Sequence, residues 1–377
     1  MNILFSTTKQ WNVGDEIILK GVRNLLARKI PRHTYLPWNR SPAIRPGNTF
    51  RDNSFDELRH SFSVVDYTIF AGSPEWSGPR VEPLLAALAS SDARCSFIGI
   101  GSSSLHFHQS PALLRVLRHN TDAVTCRDRS TYDLLLNFVD EARLFLLPCP
   151  SIFYARTELP RSEIRVIGLN YQACATRWHS ISPSEHESVL RLFHYLSEHF
   201  EIRVICNYID DVVAAGRFFP KESLRYSPDY CDFQEFYGEV DAFVGTRVHG
   251  CMGALSHGLP SWLINHQGDL RRQGVVEQIP VLKELRQESP AEVLQQIKAL
   301  PVEEAQRAFG QFKSETLTRY QPVLDLMTIQ ERTVSASSEL LTSEKTFHLR
   351  SQGFFRLLQE LPYHLGTKLK SRASRPK

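Results

Sequence analysis

Short apolar runs alternate with longer amphipathic stretches over the first part of the chain. The runs cover residues 2–6, 67–71, 97–101 and 123–126, and their lengths are typical of buried β-strands. After the first run, Ile18, Val22 and Leu25 recur at three- and four-residue spacing, which predicts a helix with one apolar face. Further helices are expected at 83–89, at 113–118 and after Ser130, which is expected to be the N-cap. This alternation predicts an α/β domain with a parallel sheet.

A second alternation begins at residue 165, after a polar, Pro-containing stretch that is typical of a linker. Strands are expected at 165–169, 202–206, 242–244 and 261–265, with helices between them. Two amphipathic helices, at 290–300 and from 302 to about 327, would close this second domain. The Pro- and Arg-rich residues 31–61 are expected to form an irregular surface segment. The chain is therefore predicted to have a Rossmann-like domain over 1–155, a second over 163–330, and a tail over 331–377.

Composition narrows the class of protein further. The 377 residues are 42% apolar and 23% charged, and the net charge of +3 is too small to indicate nucleic-acid binding. No apolar run approaches the roughly 18 residues of a membrane span, and the first run has no preceding basic residues, so we expect a first strand rather than a signal peptide. The seven cysteines are dispersed without a C-x-x-C pair. Reduced thiols and a cytoplasmic location are expected, and no metal site or cofactor is expected.

The last 32 residues are more basic than the rest of the chain. From Thr346 to Lys377, seven Lys or Arg residues stand against one acidic residue, Glu360. Apolar residues, among them Phe354, Phe355 and Leu357, are interleaved with them. This tail is either a frayed basic terminus or a peripheral contact with an anionic membrane surface.

Candidate chemistry lies where the predicted strands end. In the first domain these positions hold glycine and small polar residues: Asn12, Gly14 and Asp15 after the first strand, Gly72 and Ser73 after the next, and Gly101 and Ser102 after the third. Loops of this kind line the carboxyl edge of a parallel sheet, where α/β proteins bind ligands. The spacing of the glycines is not a G-x-G-x-x-G fingerprint, so a dinucleotide is not indicated.

Basic residues follow other strands of both domains. Arg127 and Arg129 come after the strand 123–126, and Thr246, Arg247 and His249 come after the strand 242–244. Asn170, Arg271 and Arg272 also lie at predicted strand ends in the second domain. Arginines bind anionic oxygens in a bidentate manner, and a histidine can move a proton near neutral pH. Together they suit a small doubly anionic ligand such as phosphoenolpyruvate.

Several motifs, in order, resemble the polysaccharide pyruvyl transferase family. They are N-V-G-D-E after the first strand, A-G-S at 71–73, F-I-G-I-G at 97–101, C-R-D-R-S at 126–130, L-P-C-P-S at 147–151, and above all G-T-R-V-H-G-C-M-G-A-L-S-H-G-L-P at 245–260. The last motif is similar to the Arg-x-His signature of that family. The resemblance covers roughly residues 1–280.

The resemblance implies two Rossmann-like domains that face each other across a cleft, a GT-B-like fold. It implies transfer of a pyruvyl group from phosphoenolpyruvate to hydroxyls of a glycan or lipid-linked glycan, forming a ketal. Arg127 and Arg247 would hold the donor anions, His249 would be the acid/base, and Asn12, Gly14 and Asp15 would line the cleft, with Asp15 as a candidate base.

The chain departs from the family pattern at three places. A-G-S replaces a more glycine-rich strand end, C-P-S replaces a D-P-A-like motif, and Arg271 or Arg272 stands where lysine is common. Two alternatives remain open from the sequence: a GT-B-type nucleotide-sugar glycosyltransferase and a non-catalytic glycan-binding relative. The acceptor sugar and the oligomeric state are not encoded in any motif.

Overall fold

The structure is a computed structural model that describes residues 1–7, 13–39, 65–72, 76–78, 81–101, 109–173, 181–265 and 270–329. All of these belong to one compact unit, Met1–Arg332. The predicted basic tail lies outside the described residues, so its role stays a prediction.

The N-terminal half contains a six-stranded parallel sheet. Its strands are β1 (Asn2–Thr7), β2 (Thr34–Asn39), β3 (Tyr67–Ala71), β4 (Arg94–Ile100), β5 (Thr121–Cys126) and β6 (Leu144–Leu146), in the order β2-β1-β3-β4-β5-β6. The helices are α1 (Val13–Leu26), α2 (Glu82–Ala89), α3 (Pro111–Arg115), which continues as a π-helical turn over Val116–Asn120, and α4 (Arg129–Leu135). Strand order reverses beside β1, which creates a crevice at the carboxyl edge.

The C-terminal half contains a second six-stranded parallel sheet. Its strands are β7 (Val166–Asn170), β8 (Glu201–Ile205), β9 (Leu224–Arg225), β10 (Ala242–Gly245), β11 (Ser261–Ile264) and β12 (Lys283–Leu285), in the order β12-β11-β10-β7-β8-β9. The helices are α5 (Pro183–Ser197), α6 (Ile209–Ala215), α7 (Phe233–Gly238), α8 (Val248–Ser256), α9 (Leu270–Glu277), α10 (Pro290–Lys298) and α11 (Val302–Leu326). The order reverses between β7 and β10, the position where doubly wound sheets bind ligands.

Some predicted elements differ from the structure, and the short edge strands β9 and β12 were not predicted. The stretch 31–61 was expected to be irregular, but Thr34–Asn39 forms edge strand β2, paired with β1. Pro37 lies inside this strand, and an edge position tolerates proline because one side of the strand needs no hydrogen-bond donor. The N-cap of α4 is Asp128 rather than Ser130, since the Asp128 side chain accepts a hydrogen bond from the Thr131 N–H.

Buried apolar side chains fill the outer face of each sheet and the space between the two sheets. The central cluster contains Ile18 and Val22 of α1, Met252 and Leu255 of α8, and Tyr320 of α11. Separate clusters cover the other face of the first sheet and the other face of the second sheet. Helices α1 and α8, which follow the two strands with candidate chemistry, are therefore packed together at the centre of the molecule.

Helix α11 connects the two halves. It was expected to close the second domain, yet its C-terminal end reaches the first sheet. The Tyr320 hydroxyl donates to the Pro148 carbonyl at 2.8 Å, and the Thr328 hydroxyl, just after the helix, donates to Asp122 at 2.7 Å. Lys29 donates to the Met327 carbonyl at 2.8 Å.

Candidate active site at the carboxyl edges

The corner between β10 and α8 is built around a buried asparagine. Asn170, at the end of β7, donates from its amide to the Ile205 carbonyl at 2.7 Å and to Asn207 at 2.8 Å. Its amide oxygen accepts the backbone N–H of Arg247 at 3.2 Å. Because all of these partners are protein groups, Asn170 orients the loop that carries Arg247 and His249.

Two glycines allow this asparagine to sit so close to the loop. A Cβ on Gly245 would lie 2.4 Å from the Asn170 Cβ, and one on Gly250 would lie 2.8 Å from the Asn170 amide oxygen. Neither position therefore accepts a side chain without displacing Asn170. Thr246, between them in sequence, is buried, and its hydroxyl has no hydrogen-bond partner among the described residues.

The Arg247 side chain is held within the C-terminal half. Its Nη2 contacts both carboxylate oxygens of Asp211, at 2.8 and 3.2 Å, and its guanidinium lies 4.4 Å from the ring centroid of Tyr208. Asp211 is fully buried and also accepts the Ala173 N–H at 3.0 Å. Burial raises the pKa of Asp211, and the Arg247 guanidinium opposes that rise. Arg247 thus neutralises an internal carboxylate.

His249, two residues later, reaches across to the N-terminal half. Its Nε2 lies 3.0 Å from Nη1 of Arg127. A guanidinium has only donors, so Nε2 accepts this hydrogen bond and the imidazole proton is on Nδ1. Desolvation, together with the Arg127 charge, holds the pKa of His249 well below its usual range. The imidazole is therefore neutral near pH 7 and acts as an acceptor.

Arg127 is placed by the strand-to-helix corner after β5. Its backbone N–H donates to the Ile100 carbonyl at 3.0 Å, and Asp128 beside it caps α4 through Thr131. Gly101 is needed for this arrangement, because a Cβ there would lie 2.5 Å from Arg127 Nε. Gly274 of α9 packs equally closely on Asp128, where an added Cβ would be 2.7 Å from the Asp128 Cβ. Residues of both halves thus enclose this corner.

A thiol completes the group of side chains around His249. Cys149 Sγ lies 3.9 Å from His249 Nε2, and the Ser151 hydroxyl donates to the same sulfur at 3.1 Å. Cys149 and Ser151 are fully buried. In the sequence, C-P-S is only a departure from a family pattern, and neither residue was predicted to belong to the site. No local signal places residue 149 beside residue 249, since the contact joins the two halves.

The other predicted site residues lie outside this group. Arg129 is exposed on α4 and pairs with Asp133 at 2.8 Å. Arg272 pairs with the buried Glu185 at 3.1 Å and also donates to the Ile264 carbonyl. Both guanidinium groups are therefore engaged in intramolecular ion pairs. The partner of Arg129 is an acid one helical turn away, and the partner of Arg272 is a buried acid of α5.

Three predicted residues at the first sheet are buried near α1. Gly14 and Asp15 belong to its first turn, at the carboxyl edge, and Asp15 is 5% exposed. Gly72 has φ +58, and a Cβ there would lie 2.4 Å from Ile18. Gly72 therefore permits the contact between β3 and α1. Asn12, Ser73, Ser102 and the side chain of Arg271 lie outside the described residues.

The fold and the paired residues define a two-domain α/β protein of GT-B-like architecture, as predicted. Solved structures with similar folds include Staphylococcus aureus MnaA in complex with UDP, with 10% identity, a TM-score of 0.52, and coverage of 87% of this chain and 98% of that one. UDP-GlcNAc 2-epimerase from Neisseria meningitidis has 10% identity, a TM-score of 0.52, and coverage of 85% and 100%. A further UDP-N-acetylglucosamine 2-epimerase has 14% identity, a TM-score of 0.53, and coverage of 85% and 95%. At these identities the likeness concerns the fold alone.

The family follows from the sequence match. The model of the polysaccharide pyruvyl transferase family matches residues 12–268, and the chain belongs to that family. This confirms the resemblance carried by the 245–260 motif. A comparison with curated proteins finds no match. Within the described residues, no helix is both long enough and apolar enough to cross a membrane.

Proposed function

We propose that this protein transfers the pyruvyl group of phosphoenolpyruvate to two hydroxyls of a glycan or lipid-linked glycan, forming a cyclic ketal. The observation that carries the proposal is the Arg127–His249 pair, 3.0 Å apart and contributed by the two halves of a pyruvyl transferase family member. It supplies one fixed cation for an anionic donor and one neutral base in the same place.

The chemistry assigns a separate task to each residue. Arg127 leaves the imidazole to bind the phosphate of the donor, which frees His249 Nε2 to take the proton of the first acceptor hydroxyl. The resulting imidazolium passes that proton to the donor methylene carbon, and the hydroxyl oxygen bonds to the cationic centre that forms beside it. Attack by the second hydroxyl closes the ketal, the C–O bond to phosphate breaks, and the departing phosphate takes the second hydroxyl proton.

The remaining residues support this arrangement. Asp15, at the first turn of α1, is the candidate for orienting the acceptor hydroxyl. Arg247 was expected to hold the donor directly. The contacts of its Nη2 with both oxygens of Asp211 instead favour a role in fixing the loop that presents His249. The proposed setting is the cytoplasm, with phosphoenolpyruvate as a substrate and no bound cofactor.

The test is phosphate release from phosphoenolpyruvate in the presence of a panel of glycans and lipid-linked glycans, with mass spectrometry of the acceptor. His249→Ala is expected to lower kcat by about 10²- to 10⁴-fold, since a positioned acid/base contributes that much. His119→Ala changes an exposed histidine and is the matched control. Both variants are first compared with the wild type by thermal melting.

Two outcomes would contradict the proposal. One is wild-type activity in His249→Ala with a purified acceptor. The other is a rise in melting temperature with nucleotide sugars but none with phosphoenolpyruvate, since a ligand that binds the native state raises its melting temperature. The second result would instead favour a glycosyltransferase.

A further inference from the structure

A second group of basic residues lies at the opposite edge of the first sheet. Lys20, Arg23, Arg32, His33 and Arg156 line one cavity of about 510 Å³. Met1 and Thr34, beside the starts of β1 and β2, line it too, so it opens at the amino edge. Arg127 and His249 follow carboxyl ends of strands. The 14 residues of α1, about 20 Å of helix, run from one edge to the other.

The basic pocket is lined by four cations, Lys20, Arg23, Arg32 and Arg156, with the ring of His33 beside them. None of the residues that line the cavity is acidic. Within the described part of the chain, Arg23 Nε is buried without a hydrogen-bond partner. An unpartnered buried donor is costly, and a bound acceptor would remove that cost.

The pocket is also held in shape by the surrounding protein. The Asn24 amide donates to the carbonyls of Phe153 and Tyr154, at 2.8 and 3.0 Å, and its oxygen accepts from Arg156 Nε at 3.2 Å. Arg23 lies 4.3 Å from the ring centroid of Tyr35. At least two of the guanidinium groups are therefore placed by contacts other than ion pairs.

The charges repel one another in the free protein. Desolvation lowers the pKa of Lys20, and the Arg23 and Arg156 guanidinium groups lower it further. A bound anion would offset the repulsion from Arg23 and Arg156, because its charge attracts Lys20, Arg23 and Arg156 at the same time.

We propose that the basic pocket is a binding site for a phosphate-bearing ligand, a phosphate ester or a diphosphate, separate from the proposed pyruvyl-transfer site. Several arginines and a lysine that converge without an acid match phosphate oxygens in number and geometry. A cavity of this size accommodates more than a single small ion. The ligand is either a soluble phosphate compound or the headgroup of a phospholipid.

The experiment measures binding of pyrophosphate by titration calorimetry. It also measures sedimentation with vesicles of phosphatidylcholine containing 20% phosphatidic acid. Six proteins are compared: the wild type, Lys20→Gln/Arg32→Gln, its two single variants, Arg217→Gln and Arg127→Gln. Lys20 and Arg32 are half-buried and exposed, respectively, so their replacement leaves the core intact. Arg217 is exposed and does not line the pocket, which makes Arg217→Gln the charge-matched control for each single variant.

The double variant is expected to weaken binding at least tenfold in one of the two assays, with Arg217→Gln unchanged. Loss in the pyrophosphate assay identifies a soluble ligand, and loss in the vesicle assay alone identifies a lipid headgroup. The proposal is overturned if the double variant matches the wild type in both assays. It is also overturned if only Arg127→Gln loses pyrophosphate binding, because the anion then binds at the proposed donor site. Failure of the pyruvyl-transfer assay would leave this comparison unaffected.

Discussion

At the scale of single residues, His249 and Arg247 have different surroundings although they are two positions apart. His249 is desolvated, faces a guanidinium and stays neutral. Arg247 turns to the buried Asp211 and the ring of Tyr208. A strand-end motif therefore holds one residue suited to proton transfer and one suited to holding the loop.

The Arg247–Asp211 pair leads to a stability prediction. Arg247→Lys keeps the charge, but the lysine side chain is shorter and loses the planar group that stacks on Tyr208. We therefore expect the free energy of unfolding to fall by about 2 kcal/mol. Urea denaturation measures this change. The control is Arg191→Lys, whose pair with Glu187 is exposed on both sides and is expected to contribute within about 0.5 kcal/mol.

The same variant tests the alternative role of Arg247. Unchanged stability together with much weaker phosphoenolpyruvate affinity would show that Arg247 contacts the donor directly. In that case Arg247 would leave Asp211 and contact the donor when the donor binds.

At the scale of elements, the corner between β5 and α4 depends on a residue from the neighbouring strand. Gly101 follows β4, and the space beside its Cα is occupied by Arg127 and Asp128. The Arg127 guanidinium passes through this space to reach His249. The contact between the two halves therefore requires a residue without a side chain at position 101.

We expect Gly101→Ala to impair catalysis more than stability. The added Cβ would lie 2.5 Å from Arg127 Nε, so the guanidinium would be displaced from the corner where it is proposed to bind the donor phosphate, while the strand stays in place. The expected result is at least a tenfold fall in kcat/KM with a loss of stability of about 1 kcal/mol or less. Phosphate release and urea denaturation measure the two quantities.

Gly238→Ala is the matched control, because a Cβ at that position has no atom within 4 Å. An unimpaired Gly101→Ala enzyme would mean that the position of Arg127 seen here is not needed for the reaction.

At the scale of the whole molecule, α1, α8 and α11 hold the two halves together. Lys313 of α11 donates to the carbonyls of Ala155 and Ser256, at 3.2 and 3.1 Å. His257, at the end of α8, packs between the rings of Tyr154 and Tyr237. Both nitrogens of its ring are buried without a hydrogen-bond partner in the described residues.

His257 makes stability depend on pH. Desolvation, with smaller contributions from Lys313 and Arg161, lowers the pKa of His257 to about 4, against an ordinary value near 6.5. The unfolded chain therefore binds the proton more readily, so the stabilisation is complete above pH 6.5 and is lost as the pH falls toward 4. Between pH 7 and pH 5 the expected loss from this group is about 2 kcal/mol.

The measurement is the free energy of unfolding at pH 7 and pH 5 for the wild type and for His257→Phe, which fills the site without a titrating group. The wild type is expected to lose about 2 kcal/mol more than the variant over this range. The exposed His119→Gln is the control and should behave as the wild type does. Equal pH dependence in wild type and His257→Phe would show that another group is responsible.

The sequence by itself determined the elements and the family. Apolar periodicity located the longer buried strands and most of the helices, since it reports which positions must be buried whatever they pack against. The short edge strands β9 and β12 were not predicted. The set of motifs, in their order and spacing, indicated the family, because each motif consists of residues that are adjacent in the chain, and the family model matches residues 12–268. Strand β2 was missed, since Pro37 interrupts the apolar signal in a place that only an edge position tolerates.

Only the tertiary structure decided which of the basic residues meet. Periodicity and motifs describe neighbours along the chain, whereas the partner of an arginine is the acceptor that packing brings within about 3 Å. Asp211, 36 positions away, takes Arg247, and His249, 122 positions away, takes Arg127. For the same reason Cys149 lies beside His249, and Lys20, Arg23, Arg32 and Arg156 meet beside His33 in the basic pocket. The packing of α1, α8 and the connecting segment sets distances that no local pattern contains.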